Sequence, residues 1–237
     1  MQTIPTTTSP RRGSQRERLL SALAESCAIR GYGATTIAAI CGPAGVSRAT
    51  FYELFRDKED CMRAAMELSL AEATSVVAAA QGPDKDWAEL VRDTAAALLE
   101  LLAGQPAFAR MALVEAPTAG PESRALYTSG PRVLEAVLDR GRGRPGAAPI
   151  PASTARAALA AAESLVVGRI LSGETARLPE LLPDVVYVLT VPYLGQEAAL
   201  RISRWTSGTW PGGRGDGEPA PRSSPAPASA AAGGGEP

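Results

Sequence analysis

The chain has 237 residues, of which 45% are hydrophobic, and a formal net charge of -1 at pH 7. It is long enough for a sizeable core in one large domain or two small ones, and its net charge is not that of a protein that coats nucleic acid by charge alone. It contains no histidine, which excludes histidine general-base catalysis and histidine-ligated metals.

Targeting signals and cysteine usage indicate the cellular compartment in which the protein is expected. No apolar run approaches the roughly 20 residues that span a bilayer, and the first residues lack the apolar core of a signal peptide. We therefore expect a cytoplasmic protein. Cys27, Cys41 and Cys61 are an odd set without CxxC spacing, as expected of reduced thiols. We interpret them as small buried hydrophobes, and a thiol sensor is the alternative.

The N-terminal part begins with a polar, proline-bearing stretch over residues 1–13, predicted to be a mobile arm. Arg11 and Arg12 have two interpretations, contact with a minor groove or a solvated tail. A first helix is predicted from about 14 to 30, where Gly31 ends it.

Residues 35–58 are predicted to form two short helices joined by a tight turn. Ile37 and Ile40 recur at helical spacing, and Gly45 stands where a turn needs a left-handed residue. Ser47 can then cap a second helix through its hydroxyl.

The second of these helices has two unlike faces. Phe51, Leu54 and Phe55 recur on one face and predict burial. Arg48 and the polar residues around it crowd the N-terminal end of the other face, a pattern typical of a helix that reads DNA. The alternative is a small three-helix packing unit with solvated charges.

The order GY, TTI, AGVSRATFYELF and DKED strongly resembles the N-terminal DNA-binding domain of the TetR (tetracycline repressor) family of bacterial regulators, over about residues 14–65. The resemblance implies an all-α fold with a helix-turn-helix domain, followed by a helical ligand-binding and dimerisation domain. It also implies a homodimer that binds double-stranded DNA in the bacterial cytoplasm.

The resemblance also implies which residues contact DNA. Arg48 is expected to read a guanine edge, while Lys58 and hydroxyl groups hold the phosphate backbone. The full expected set is Thr35, Thr36, Ser47, Arg48, Ala49, Thr50, Tyr52, Glu53 and Lys58. One departure from the family pattern is Gly42-Pro43, which either ends the first helix of the motif a turn early or is tolerated near its last turn.

We predict a DNA-binding domain at 14–58, a ligand-binding and dimerisation domain at 59–205, and a connecting helix at 57–80. Further helices are expected at about 84–103, 105–116, 122–140, 152–172 and 179–203. The β-branched run 185–194 could pass for a strand, but without partner strands it predicts a helix kinked at Pro192. Residues 206–237, with 14 Gly or Pro, predict a disordered tail.

The alanine-rich helix at 152–172 and the later apolar helix are expected to pair with their twins in a dimer, by resemblance. The alternative is packing within one chain. The expected dimer contacts are Leu165, Val166, Ile170, Val185, Val188 and Leu189.

A mostly apolar set with a few polar groups in the middle helices is a candidate ligand pocket: Trp87, Phe108, Met111, Glu115, Tyr127, Leu134 and Ser164. Each of these residues can instead be ordinary core. If Glu115 faces a cavity, it favours a cationic or hydrogen-bond-donating ligand.

These patterns favour a ligand-responsive transcriptional repressor that binds a palindromic operator as a homodimer and is released by a small molecule. The alternatives are a constitutive or ligand-activated regulator of the same fold, a protein-interaction module, and a histidine-free helical enzyme. We expect no catalysis, cofactor or metal.

Overall fold

The structure is a computed structural model that describes residues 14–82, 85–144, 147 and 149–205. All regular secondary structure within these residues is helical. The fold class is therefore all-α, as predicted. The predicted arm at 1–13 and tail at 206–237 lie outside the described residues.

The first helix, α1, spans Gln15–Ala34 and begins with a capping box. The Ser14 hydroxyl accepts the Glu17 amide, and the Glu17 carboxylate accepts the Ser14 amide, so two unpaired donors at the helix start are satisfied. Gly31 has φ 78 and leaves the helical region. The regular part of α1 thus ends where glycine predicts, and a further turn follows it.

Two short helices follow, α2 at Ile37–Ala44 and α3 at Arg48–Leu54. Pro43 lies inside the last turn of α2, so the helix tolerates it there. Proline has no N–H to give to the carbonyl four residues earlier, that of Ala39. The Ser26 hydroxyl of α1 donates to that carbonyl at 3.1 Å and replaces the missing bond.

The long helix α4 spans Lys58–Ala80 and is capped by Asp57, whose carboxylate accepts the Asp60 amide at 2.8 Å. This agrees with the helix predicted at 57–80. It is followed by α5 at Trp87–Gly104. The α4 helix packs against α1 and against α5, so it contacts both the N-terminal helices and the rest of the chain.

The next two predicted helices are more broken than expected. After α6 at Pro106–Arg110 the chain continues as one π-helical turn at Met111–Glu115 and a 3-10 turn at Ala116–Thr118. The single helix predicted at 122–140 is wrong. It is two helices, α7 at Pro121–Ser129 and α8 at Arg132–Asp139, because Gly130-Pro131 interrupts it.

The C-terminal helices are α9 at Thr154–Leu171, α10 at Leu182–Leu194 and α11 at Gln196–Arg204. A 3-10 segment at Thr175–Leu181 precedes α10. The single helix predicted at 179–203 is therefore wrong, since Gly195 at φ 76 separates α10 from α11. The run 185–194 is helical, as predicted.

The side chains form two hydrophobic cores. One joins α1 to α4 and includes Leu19, Leu23, Phe51, Met62 and Met111. The other joins α5 to the C-terminal helices, with the members Trp87, Leu99, Leu178, Val186 and Ile202 among others. Met111 comes from the π turn, so that turn closes the N-terminal core from the other half of the chain.

No single helix of the described residues is long and apolar enough to cross a membrane. The helix pair Trp87–Gly104 and Pro106–Thr118, bent by 107°, meets the criterion of length and composition only when the two are taken together.

Candidate nucleic-acid interface and internal cavity

The turn between α2 and α3 is built from backbone and side-chain bonds. Gly45 adopts the left-handed conformation at φ 61, and its N–H donates to the Gly42 carbonyl at 3.1 Å. Arg18 of α1 donates through Nε to the Ala44 carbonyl at 2.9 Å, which caps the end of α2. The Ser47 hydroxyl accepts the Thr50 amide at 3.0 Å and begins α3.

The outer face of α3 is free to meet a partner. Phe51 is fully buried beneath it, while Arg48, Ala49, Tyr52 and Glu53 are exposed. Tyr52 has 58% of its surface exposed, an unusual fraction for a large aromatic side chain. Among the described residues, no ion pair or hydrogen bond engages the Arg48 guanidinium. Thr50 is half-buried and shares a 3.0 Å bond with the Ser47 hydroxyl.

The two predicted threonines differ in position. Thr36 is exposed and caps α2 by accepting the Ala39 amide at 3.2 Å. Thr35 is only 2% exposed, and its hydroxyl donates to the Gly31 carbonyl at 2.8 Å. The expectation that Thr35 contacts DNA is corrected, because its side chain lies inside the domain.

Lys58 is bonded inside the domain rather than held out to solvent. Its Nζ donates to the carbonyl oxygens of Tyr32 at 2.8 Å and Thr35 at 2.9 Å, and lies 4.0 Å from the centre of the Tyr32 ring. An ammonium has three donors, so one remains for another acceptor. Lys58 therefore holds the segment after α1 against the start of α4.

The positive charge that faces outward near the motif comes from few residues. Arg56 pairs with Asp60 and Glu122, at 3.8 and 3.7 Å. Arg16, Arg30 and Arg48 are exposed, although Arg16 also stacks over Phe55 at 5.5 Å. The motif thus presents a local basic surface in a chain of near-neutral charge, which is what a sequence-specific DNA-binding protein needs.

A cavity of about 280 Å³ lies between α4, α5, α6 with the π turn after it, and α7 to α10. Its wall is dominated by leucine, valine and alanine side chains. Of the residues predicted to form a pocket, Phe108, Tyr127 and Leu134 line it. An apolar cavity with few polar groups is the usual form of a small-molecule site.

The other four predicted pocket residues lie elsewhere. Trp87 donates through Nε1 to the Val137 carbonyl at 3.0 Å within the C-terminal core, and Met111 belongs to the N-terminal core. The Glu115 carboxylate accepts the Tyr32 amide at 2.8 Å. Ser164 is exposed on α9. Helical spacing indicates that these residues are on a helix but not which side of the bundle they face.

Several polar side chains of the cavity were missed from the sequence: Ser69, Glu72, Thr94, Gln105 and Glu163. Gln105 donates to Glu72 Oε2 at 3.1 Å, and the Tyr127 hydroxyl donates to Glu163 Oε1. The sequence feature that could have identified Glu163 as a cavity residue is its position within the apolar stretch LAAAESLVV. A carboxylate among small apolar residues at helical spacing is expensive to bury without a role.

The expected dimer contacts are divided between core and surface. Val166, Ile170, Val185 and Leu189 are at most 7% exposed and belong to the C-terminal core. Their assignment to a dimer surface is corrected, because α9 and α10 pack on each other and α10 packs on α5 within the chain. Leu165 is 37% exposed, and Val188 is half-buried.

All three cysteines are free and buried. Burial raises the pKa of the Cys27 thiol to about 11 and that of Cys61 to about 12, and it also raises the pKa of Cys41. These shifts oppose thiolate formation, so the interpretation as buried hydrophobes fits. Within the described residues, no group of His, Cys, Asp and Glu is arranged to hold a metal ion.

Comparison with known proteins gave a family match and structural neighbours. Residues 19–65 match the family described as bacterial regulatory proteins, tetR family. The fatty acid degradation regulator FadR from Bacillus halodurans has a TM-score of 0.67 at 16% identity, over 78% of this chain and 97% of its own. The transcriptional regulator FadR from Bacillus subtilis, in complex with stearoyl-CoA, has a TM-score of 0.63 at 19% identity, over 76% and 98%.

The TetR family transcriptional regulator PfmR from Thermus thermophilus has a TM-score of 0.61 at 22% identity, over 82% of this chain and 99% of its own. No protein of curated function matches by sequence. At these identities the neighbours show a shared fold, while the family match falls on the helix-turn-helix domain. Taken with the capped and exposed α3, these findings assign residues 19–65 to a DNA-binding domain of the tetR type, carried on a chain that shares the fold of these neighbours.

Proposed function

We propose that this regulator is a homodimeric repressor that binds a palindromic operator in the bacterial cytoplasm and is released by a small molecule. The observation that supports this most is the position of the segment 106–115. Phe108 and Leu113 line the cavity, whereas Met111 lies in the N-terminal core. A molecule in the cavity therefore touches the same segment that supports the DNA-binding helices.

In the proposed complex α3 enters a major groove in each subunit. The two half-sites are then separated by roughly 34 to 36 Å, about one turn of DNA, or a multiple of it. Arg48 reads a guanine edge, because its guanidinium is exposed near the start of α3 and matches the two acceptors of guanine. Ala49 and Glu53 face the bases beside it.

Hydroxyl groups hold the DNA backbone in this proposal. Thr36, Ser47, Thr50 and Tyr52 lie at the helix starts or on the exposed face, within reach of phosphates that flank the groove. Lys58 contributes its remaining N–H from the start of α4. Thr35 takes no part.

The proposed dimer uses the exposed side of α9 with the adjoining part of α10. Leu165 and Leu171, at 37% and 56% exposed, are large apolar side chains left on the α9 surface. Ala161 and Gly168 are exposed on the same helix and allow a partner helix to approach closely. A two-fold axis through this surface fixes the distance between the two α3 helices.

Release requires that the ligand bind one arrangement of the subunits better than the other, since equal affinity for both shifts nothing. The proposed arrangement favoured by the ligand is one in which the segment 106–115 and α4 are displaced together. The α3 helices of the dimer then no longer match the half-site spacing.

A gel-shift experiment with the DNA upstream of the chain's own gene tests DNA binding, with excess nonspecific DNA as competitor. Sedimentation of the protein at micromolar concentration tests the dimer. Retarded DNA that survives the competitor and a mass of two subunits support the proposal. A monomer that binds all DNA alike contradicts it.

A second candidate is a regulator of the same fold that acts constitutively or is activated by its ligand. Titration of compounds into the protein-DNA complex separates these from a repressor. Loss of the complex supports repression, tighter binding supports activation, and no response to any cavity-binding compound supports constitutive action.

A further inference from the structure

The charges around the cavity are all of one sign. The ionisable side chains on its wall, within the described chain, are Glu72, Tyr127 and Glu163, and no lysine or arginine is among them. Glu72 comes from α4, Tyr127 from α7 and Glu163 from α9. The acidic groups therefore approach the cavity from different helices rather than from one acidic surface.

Each carboxylate has only a neutral partner. Glu163 Oε1 accepts from the Tyr127 hydroxyl, and Glu72 Oε2 accepts from Gln105 at 3.1 Å. Burial, followed by the bond to Glu163, raises the pKa of Tyr127 to about 12, so the phenol stays protonated as a donor. Within the described residues neither carboxylate is in an ion pair. One oxygen of each remains available to a ligand.

The hydroxyl of Thr94 is an independent observation that points to a ligand in the cavity. Thr94 lines the cavity, the residue is 4% exposed, and its hydroxyl has no hydrogen-bond partner in the part of the chain that the structure describes. Buried hydroxyls are nearly always bonded, because an unbonded one has lost its water and gained nothing. The neighbouring cavity residues Val91, Ala95 and Leu98 supply no polar atom in their side chains.

We propose that the cavity binds a medium-chain apolar amine, whose cationic group is held by a carboxylate of its wall, Glu72 or Glu163, and that it rejects an apolar carboxylate of the same length. This rests on the proposed function, of which it names the class of effector. At about 30 Å³ for a water-sized group, a cavity of about 280 Å³ takes roughly nine such groups, which is most of a ten-carbon amine.

The physical reason for the selectivity is the apolar wall. In a cavity of low dielectric constant, a carboxylate and an ammonium attract each other more strongly than they do in water. Two carboxylates likewise repel each other more strongly there than in water. A fatty acid or similar anion brings its charge next to Glu72 and Glu163 without a cation to offset them. This chemistry differs from that of an anionic thioester such as the stearoyl-CoA in the FadR structure from Bacillus subtilis.

The test compares three probes with ten carbons each and different head groups: decylamine, decan-1-ol and decanoate. Binding to the full-length protein is measured by calorimetry at neutral pH. We expect decylamine to bind more tightly than decanol, and decanoate to bind about tenfold more weakly than decylamine or worse. Decanoate binding as tightly as decylamine, or decanol matching decylamine, would overturn the proposal.

Variants of the two glutamates test whether their charge causes the preference for decylamine. Glu72→Gln with Glu163→Gln keeps shape and hydrogen bonding but removes both charges, so the preference for decylamine over decanol is expected to fall about tenfold. Glu100→Gln is the matched control, because Glu100 is exposed on α5 and does not line the cavity. A preference that persists in the double variant overturns the proposal, whatever its cause.

Failure of this inference and failure of the proposed repressor give different results. Decylamine that binds but leaves the protein-DNA complex intact supports the cavity chemistry and contradicts release by a ligand. Release of DNA that is equal in the double variant contradicts the cavity chemistry, since the amine then acts on DNA or elsewhere on the protein.

Discussion

The carboxylate of Glu115 accepts a hydrogen bond from the backbone N–H of Tyr32 at 2.8 Å. On the other side of the same residue, the Tyr32 carbonyl accepts a bond from Lys58 at 2.8 Å. The backbone just after Gly31 is therefore held between the π turn, which adjoins the cavity, and the start of α4. These bonds connect the helix-turn-helix unit directly to the segment 106–115.

Replacing Glu115 by alanine is expected to lower the free energy of unfolding by about 1.5 to 3 kcal/mol, since a hydrogen bond to a charged acceptor is lost. Urea unfolding measures this. Glu100→Ala, at an exposed site, is the control and is expected to change stability by less than about 0.5 kcal/mol. An unchanged unfolding midpoint for Glu115→Ala contradicts the role given to this bond.

Arg48→Ala is expected to relax sequence preference at one base pair of each half-site, with a loss of about 1 to 3 kcal/mol of discrimination. Lys58→Met is expected to weaken binding to all sequences and also to lower stability, because the ammonium bonds two carbonyls inside the domain. Binding to an operator and to single-base variants separates the two effects. Equal loss on every sequence for Arg48→Ala means that Arg48 does not read a base.

The turn of the motif gives a prediction about glycine. Gly45→Ala is expected to cost about 1 to 2 kcal/mol, because φ 61 is strained for a residue with a Cβ. Gly45→Asn is expected to cost less, since asparagine tolerates this conformation. Gly42→Ala, within α2 and with nothing near its added Cβ, is expected to stabilise by about 0.5 to 1 kcal/mol. Thermal unfolding ranks the three, and any other order contradicts the turn geometry.

The hydrogen bonds of Asp60 predict that the free energy of unfolding depends on pH. Its carboxylate accepts the Arg56 amide at 3.0 Å and a bond from Arg63 at 2.6 Å, which hold its pKa below 3.8. The folded state thus binds this proton more weakly than the unfolded chain. The stabilisation is complete above about pH 4 and is lost as pH falls through the lower folded-state pKa.

The measurement for Asp60 is the difference in unfolding free energy between the wild type and Asp60→Asn, followed from neutral pH to about pH 3. We expect the difference to shrink over the acidic part of that range. Glu67→Gln, which removes the more exposed partner of Arg63, is the control. A difference that does not vary with pH argues against a stabilising charge at Asp60.

The cysteines are expected to react slowly. With raised pKa values and buried side chains, Cys27, Cys41 and Cys61 form little accessible thiolate in the folded chain near neutral pH. A chromogenic disulfide reagent should label them at once in concentrated guanidinium and scarcely at all without it. Prompt labelling of the folded protein would revive the interpretation as a thiol sensor.

Local signals were enough to predict the helix-turn-helix unit. The ends, turn and caps of these helices each depend on the backbone or side chain of a single residue, so they are visible in a short stretch of sequence. These residues are Gly31, Gly45, Ser47 and Asp57. The match of the helix predicted at 57–80 to α4 follows from this.

The surface that each side chain of a helix contacts could not be predicted in the same way. Met111 and Phe108 lie three residues apart on one predicted helix and both contact the N-terminal core, yet only Phe108 also lines the cavity. A periodicity of 3.6 residues does not reveal which of two adjacent surfaces a side chain meets, nor the π turn that begins at Met111 and shifts the helix faces after it. Val185 and Leu189 were placed at a dimer surface for a related reason, since an apolar stripe fits either a partner subunit or the chain's own core.

The π turn Met111–Glu115 has one more consequence. Because residues of this single wide turn pack against both cores, a molecule in the cavity is expected to act on the helix-turn-helix unit through the turn itself. Thermodynamic reciprocity then applies: if a ligand lowers the affinity for operator by some factor, operator lowers the affinity for that ligand by the same factor. Measuring ligand affinity with and without bound DNA gives the strength of this coupling without following transcription.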